Sequence, residues 1–210
     1  MSPSMPESPA EEHGGTSRGD HRGTEPWLAP ERADLAAQRI LDVAEELFIE
    51  HGVPAVTMRG LAAAAGCSRA TLYRYYPGKS EVLAAYVDRA AGELGAAIGS
   101  VADDEADPAA QLIAAVTTAI TGVRSNPALR TWFTADAAGS SADLALLSPA
   151  IEEMAAGFLA RITPDTDGAE RRDRARWLVR VIVSLLTTPG ASADDERDMV
   201  ARFVVPVVLA

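Results

Sequence analysis

TMRGLAAAAGCSRATLYRYYPGKSEVL, residues 57–83, holds two short helical patterns separated by a single glycine turn. In the first, Met58, Leu61, Ala62 and Ala65 lie on one side, with Thr57 in place as an N-cap and Gly66 as the stop. In the second, over 68–76, Ser68 is placed to cap, Leu72 and Tyr76 lie four apart and pack inward with Cys67 just before them, and Pro77 ends the run. Arg69, Ala70, Thr71, Tyr73 and Arg74 are left to face outward or to flank. Two short helices joined by a tight Gly-containing turn have the layout of a helix-turn-helix.

The charge of this stretch points the same way. The 210-residue chain has a formal charge of −11, yet no Asp or Glu occurs from Gly52 to Ser80, where Arg59, Arg69, Arg74 and Lys79 all sit. A local basic face on an acidic chain suits a polyanion docked at one place, duplex DNA above all, and not a protein that coats nucleic acid everywhere. The side chains fit that task. Arg offers a fork of donors to guanine O6 and N7, and an Ala or a Thr methyl suits the thymine methyl. The Tyr73 and Tyr75 hydroxyls reach phosphate oxygens, and Lys79, the only lysine, adds a point charge at the start of the next helix.

Upstream, Ala37, Ile40, Leu41, Ala44, Leu47 and Phe48 form one apolar face of a helix over 31–51, stopped by Gly52 and Pro54. The Pro, Gly, Ser and Glu-rich segment before it, residues 1–30, is expected to be a disordered tail. Downstream, a long Ala-rich helix is expected over 78–100, with Gly99-Ser100 at its end and an acidic loop at Asp103–Asp107 after it. Larger helices follow at about 108–124, 127–137, 143–163, 168–188 and 192–209, broken at Asn126-Pro127, Gly139–Ser141, Pro164 and Pro189-Gly190. The run Phe203–Val205 is the one β-prone segment, but its flanks continue a helical stripe. The fold class is therefore all-α: a three-helix head over 31–77 and a larger helical body over 78–210.

Other chemistries find little support. Cys67 is the only cysteine, so no internal disulfide forms, and its position reads as a small buried hydrophobe. His13, His21 and His51 show no metal spacing, and no nucleophile–base set has a supporting context, so neither a metal, a cofactor nor an enzyme is expected. Gly78-Lys79-Ser80 resembles the end of a phosphate-binding loop, but Tyr73 stands where that motif needs its first glycine. No secretory leader is visible, and the run Ala109–Val123 is too short to span a bilayer, which reads as a cytoplasmic protein without a membrane partner.

The run T-x-x-x-L-A-x-x-A-G-C-S-x-x-T-L-Y-x-Y-Y-x-x-K-x-x-x-L resembles the N-terminal DNA-binding domain of the TetR family of transcriptional regulators. Thr57, Leu61-Ala62, Ala65-Gly66, Ser68, Leu72-Tyr73, Lys79 and Leu83 fall on the family pattern, and the likeness covers roughly residues 33–86. It implies a DNA-binding head, a connecting fourth helix, and a body that binds an effector and dimerises. It implies DNA contacts by Thr57, Arg59, Arg69, Ala70, Thr71, Tyr73, Tyr75 and Lys79, with Ser68 and Arg74 on the same short helix. The family commonly has His then Phe where this chain has Tyr75 and Tyr76, so the Tyr76 hydroxyl needs a partner or an exit to water.

The heavy apolar side chains of the body, Trp132, Phe133, Met154, Phe158 and Trp177, read as core, and by resemblance some of them line an effector cavity. Arg124, Arg130 and Asp136 are candidates to hold a polar group of that ligand, against the plainer reading of solvated helix faces. The Arg171–Arg180 run spreads over several helix faces and reads as solvated or interface-flanking. By resemblance the last two helices pair with their copies, which would put Val181, Leu185, Val200, Phe203, Val204 and Val207 at a homodimer interface. The implied function is a ligand-responsive regulator, a repressor that binds a near-palindromic double-stranded DNA operator as a dimer and is released by a hydrophobic small molecule. The alternative is a DNA-binding or architectural protein that takes no effector.

Overall fold

The computed structural model describes residues 29–130, 132, 145–146 and 148–210. Phe133, Asp136 and nearly all of the expected N-terminal tail lie outside the described residues. The described chain is built from helices: α1 (Ala29–His51), a 3-10 turn (Val53–Ala55), α2 (Met58–Ala64), α3 (Arg69–Tyr75), α4 (Lys79–Asp103), α5 (Pro108–Ser125), α6 (Pro127–Arg130), α7 (Pro149–Ile162), α8 (Gly168–Thr187), α9 (Ala193–Met199), a π-helical segment (Val200–Val204) and α10 (Val205–Val208). No strand occurs among the described residues.

The breaks follow local chemistry. Gly52 (φ 74°) ends α1 in the left-handed region, where any other residue is strained. Asp107 caps α5 by accepting the Ala110 N–H at 3.0 Å, with Pro108 as the first helical residue. Ser148, Asp167 and Ser192 cap α7, α8 and α9 in the same way.

Two apolar cores result. The head core joins Ile40, Leu41, Ala44 and Phe48 of α1 to Leu61, Leu72, Tyr76, Val82 and Tyr86, and it also takes in Ala128 and Trp132. The body core is formed by α4, α5, α7, α8 and the C-terminal helices. Helix α4 serves both: Val82, Tyr86 and Val87 belong to the first, Ile98 and Ala102 to the second. At about 1.5 Å per residue, a helix of 25 residues spans about 37 Å, the distance over which it connects head to body.

Two boundaries differ from expectation. Helix α4 continues through Gly99-Ser100 to Asp103, because buried Ile98 and Ala102 extend its apolar stripe and outweigh the cost of one glycine. Near the C-terminus, Pro206 falls inside a helical run. Lacking an N–H and crowding the preceding turn, it is accommodated by the π-helical segment before it, in which the Val205 N–H reaches back to the Val200 carbonyl.

Candidate nucleic-acid interface and body cavity

The turn between α2 and α3 is closed by a Schellman arrangement. Gly66 sits at φ 65°, its N–H donates to the Ala63 carbonyl at 3.2 Å, and the Cys67 N–H donates to the Ala62 carbonyl at 3.0 Å. Thr57 caps α2 by accepting the Gly60 N–H at 3.1 Å. Ser68 caps α3 by accepting the Thr71 N–H at 3.0 Å, and its Oγ lies 2.9 Å from the Thr71 hydroxyl. Both cap hydroxyls thus have structural work within the chain.

Helix α3 is held by one side. Leu72 is fully buried, and the buried Tyr76 that follows donates its hydroxyl to the Ala37 carbonyl of α1 at 3.3 Å. That bond answers the question posed by the Tyr-Tyr pair: the extra oxygen is satisfied inside the head, and burial raises its pKa above the usual phenol value. The other side is open. Arg69, Ala70, Tyr73 and Arg74 are exposed on α3, and Arg59 is exposed on α2. Among the described residues, Arg59 and Arg69 make no ion pair or hydrogen bond, so both forks of donors are free. The Arg74 guanidinium lies 5.2 Å from the centre of the half-buried Tyr75 ring, a cation–π contact.

Lys79 is placed differently from the other cations. Its Nζ donates to the Val53 carbonyl at 2.7 Å and to the Pro54 carbonyl at 3.3 Å, tying the start of α4 to the 3-10 turn. Burial lowers its pKa below that of a free lysine. Two of its three protons are taken by the chain.

A junction of three aromatic rings joins head and body. Phe48 of α1 meets Tyr86 of α4 edge-on at 5.6 Å and Trp132 at 5.9 Å, and Tyr86 lies 5.7 Å from Trp132. Polar bonds cover this cluster. Tyr86 donates its hydroxyl to Glu45 Oε1 at 3.0 Å, and Arg89 donates to Asp42 and Glu45 at 2.6 and 3.0 Å. Desolvation, the Glu45 charge and that hydrogen bond hold the Tyr86 proton in place well above the ordinary phenol range.

Between α4, α5, α7 and α8 lies a cavity of about 130 Å³. Trp132, Met154 and Phe158 line it; Trp177 does not, and packs half-buried against the body core instead. Periodicity did not single out the α4 and α8 walls, Leu94, Ile98, Leu178 and Ile182. The signal was the density of inward alanines on facing helices, such as Ala91, Ala115 and Ala119, which leave space where larger side chains would meet.

Arg124, expected as a possible ligand contact, is committed elsewhere. It grips Glu196 through two bonds of 2.7 Å and also donates to the Leu185 carbonyl at 2.9 Å. The C-terminal expectations divide as well. Leu185, Val200 and Val204 are buried in the chain's own core, Val181 is half-buried, and Phe203 and Val207 remain 67% and 53% exposed. The first three already have partners because α5 packs both on α8 and on the C-terminal helices. Among the described residues, no cluster of His, Cys, Asp or Glu could hold a metal ion, and no helix is long and apolar enough to cross a membrane.

Comparison with known proteins agrees with this geometry. Residues 40–86 match the family model described as bacterial regulatory proteins, tetR family. An HTH-type transcriptional regulator of Mycobacterium tuberculosis is 45% identical over 182 residues, covering 87% of this chain and 90% of its own length. Among solved structures, the TetR-family repressor AlkX from Dietzia superposes with a TM-score of 0.64 at 18% identity, over 82% of this chain and 94% of its own. RolR in complex with resorcinol superposes with a TM-score of 0.65 at 16% identity, over 85% and 89%. These structural likenesses carry the fold.

Proposed function

Because the chain belongs to the TetR family of transcriptional regulators, we propose that it is a repressor that binds a near-palindromic operator as a homodimer and leaves it when a small hydrophobic effector enters the body. It acts in the cytoplasm by binding and not by catalysis.

In this reading each head lays α3 in a major groove. Arg69 and Arg59 read base edges, and Ala70 with Thr71 meets thymine methyls. Tyr73, Tyr75, Arg74 and the remaining proton of Lys79 meet phosphates, while Thr57 and Ser68 fix the two helices that carry them. Two copies joined through the C-terminal helices, with exposed Phe203 and Val207 at the contact, set the spacing of the half-sites.

The observation that favours an effector over a non-switching protein is the cavity's position. Helix α4 walls it with Ala90, Leu94 and Ile98, and the same helix carries Lys79, Val82 and Tyr86 into the head. A guest that moves α4 moves the head, so DNA and effector affinities are coupled reciprocally, typically by about 1–3 kcal/mol. A genome-wide binding map of the purified chain yields the operator. Fluorescence anisotropy on that operator should then show salt-dependent binding that a cavity ligand weakens. If every ligand that raises the melting temperature leaves DNA affinity untouched, the repressor is not effector-controlled.

A further inference from the structure

We infer that Gly95 and Gly122, neither of which lines the body cavity, set its capacity: each is a notch that receives a wall side chain which would otherwise fill the space. This rests on the reading of the cavity as an effector site, and it names the residues that fix how much apolar guest that site accepts.

Helix α4 is fitted to its neighbours at two glycines. Leu94 of α4 lies so close to Gly122 of α5 that a Cβ built on Gly122 would stand 2.5 Å from Leu94 Cδ1. Met154 of α7 lies against Gly95 of α4, where a Cβ would stand 2.8 Å from the sulfur and 3.3 Å from Cγ. Non-bonded carbons settle at about 3.5–4.0 Å, so a methyl added at either place evicts the side chain that uses it. The other two glycines of α4 differ: a Cβ at Gly92 or Gly99 meets nothing within 4 Å. Alanine is the better residue inside a helix, so a glycine there that is filled by a neighbour has a packing role that one facing open space lacks.

Leu94 and Met154 both belong to the cavity wall, and Gly95 and Gly122 do not. Each of these side chains therefore touches a notch on one side and the cavity on the other. Both are half-buried. Evicted from its notch, an apolar side chain keeps its burial by turning into the cavity and loses it by turning to water, so the cavity is the destination. The two glycines thus hold space open for a guest without touching it.

Toluene, an uncharged apolar probe, is titrated by calorimetry into the full-length wild type, Gly122→Ala, Gly95→Ala and, as the control, Gly99→Ala. Gly122→Ala and Gly95→Ala should each lose about fourfold affinity, the worth of one methylene of apolar room, while Gly99→Ala stays within about twofold of wild type. Double variants trace the route. Leu94→Ala removes the side chain that Gly122→Ala would evict, so Leu94→Ala/Gly122→Ala should bind toluene as Leu94→Ala does. Met154→Ala should abolish the effect of Gly95→Ala in the same way.

Wild-type affinity in a glycine variant, or a loss that persists once its partner side chain is gone, would overturn the role of that notch and leave the effector site in place. Failure of both glycine variants to fold would also count against the inference, because the evicted side chains would then have had no space to enter. A wild type that takes up no toluene would remove the effector reading and this inference with it.

Discussion

Removing Arg124 should destabilise the body and reverse one group's response to acid. Glu196 is 5% exposed, and its carboxylate accepts two bonds from Arg124 at 2.7 Å and one from the Gly190 N–H at 2.9 Å. Those bonds hold its pKa below the ordinary value of 4.5. In Arg124→Met the carboxylate keeps one bond and loses its counter-charge while still buried. Breaking such a pair costs about 3–5 kcal/mol when both partners are buried. The Arg124 side chain is 36% exposed, so the lower end applies, about 3 kcal/mol at pH 7. For a chain of 210 residues that is a fall in Tm of roughly 10 °C.

The pH dependence separates this mechanism from a packing defect. In the wild type, Glu196 adds stability above pH 4.5, and that contribution is lost as pH falls through its depressed folded pKa. In the variant, burial without a partner raises the folded pKa, so the penalty present at pH 7 is relieved as pH falls through it. Urea unfolding of both proteins should show the gap narrowing from pH 7 towards pH 5. Arg124→Met/Glu196→Gln should recover part of the loss, because no buried charge remains. A gap under about 1 kcal/mol at pH 7, or one constant across that range, would refute the reasoning.

Arg69→Ala and Arg59→Ala should leave urea stability within about 0.5 kcal/mol, since neither side chain is partnered among the described residues, and should weaken operator binding by roughly 1–3 kcal/mol per lost base contact in anisotropy titrations. Lys79→Ala should weaken binding to all duplexes alike and flatten the salt dependence. It should also lower head stability by about 1 kcal/mol, because Val53 and Pro54 lose their donor. Gly66→Ala meets no atom within 4 Å, so its cost of about 1–2 kcal/mol in thermal unfolding is purely that of the left-handed backbone.

The head was legible because its signals are local. The Thr57 and Ser68 caps, the Gly52 and Gly66 stops and the inward Leu72 lie within a few residues of what they act on, and each is where the pattern put it. Partners far apart in the chain were not legible. Nothing near Arg124 announces Glu196, 72 residues away, and nothing near Lys79 announces the Val53 carbonyl. A helical stripe also cannot say which chain it will face: Leu185, Val200 and Val204 carry the same pattern as Val207 but meet their own body. The cavity depends on which alanines of four helices oppose one another, which periodicity along one helix does not contain.

The central claim is that α3, anchored by Leu72 and Tyr76, offers Arg69 and its neighbours to the edges of paired bases. Anisotropy of the full-length chain on a mapped operator, against a scrambled duplex of equal length and salt, tests it most directly. The account expects a preference of at least about a thousandfold for the operator, reduced by Arg69→Ala. Equal affinity for both duplexes, with Arg69→Ala indistinguishable from wild type, would contradict it.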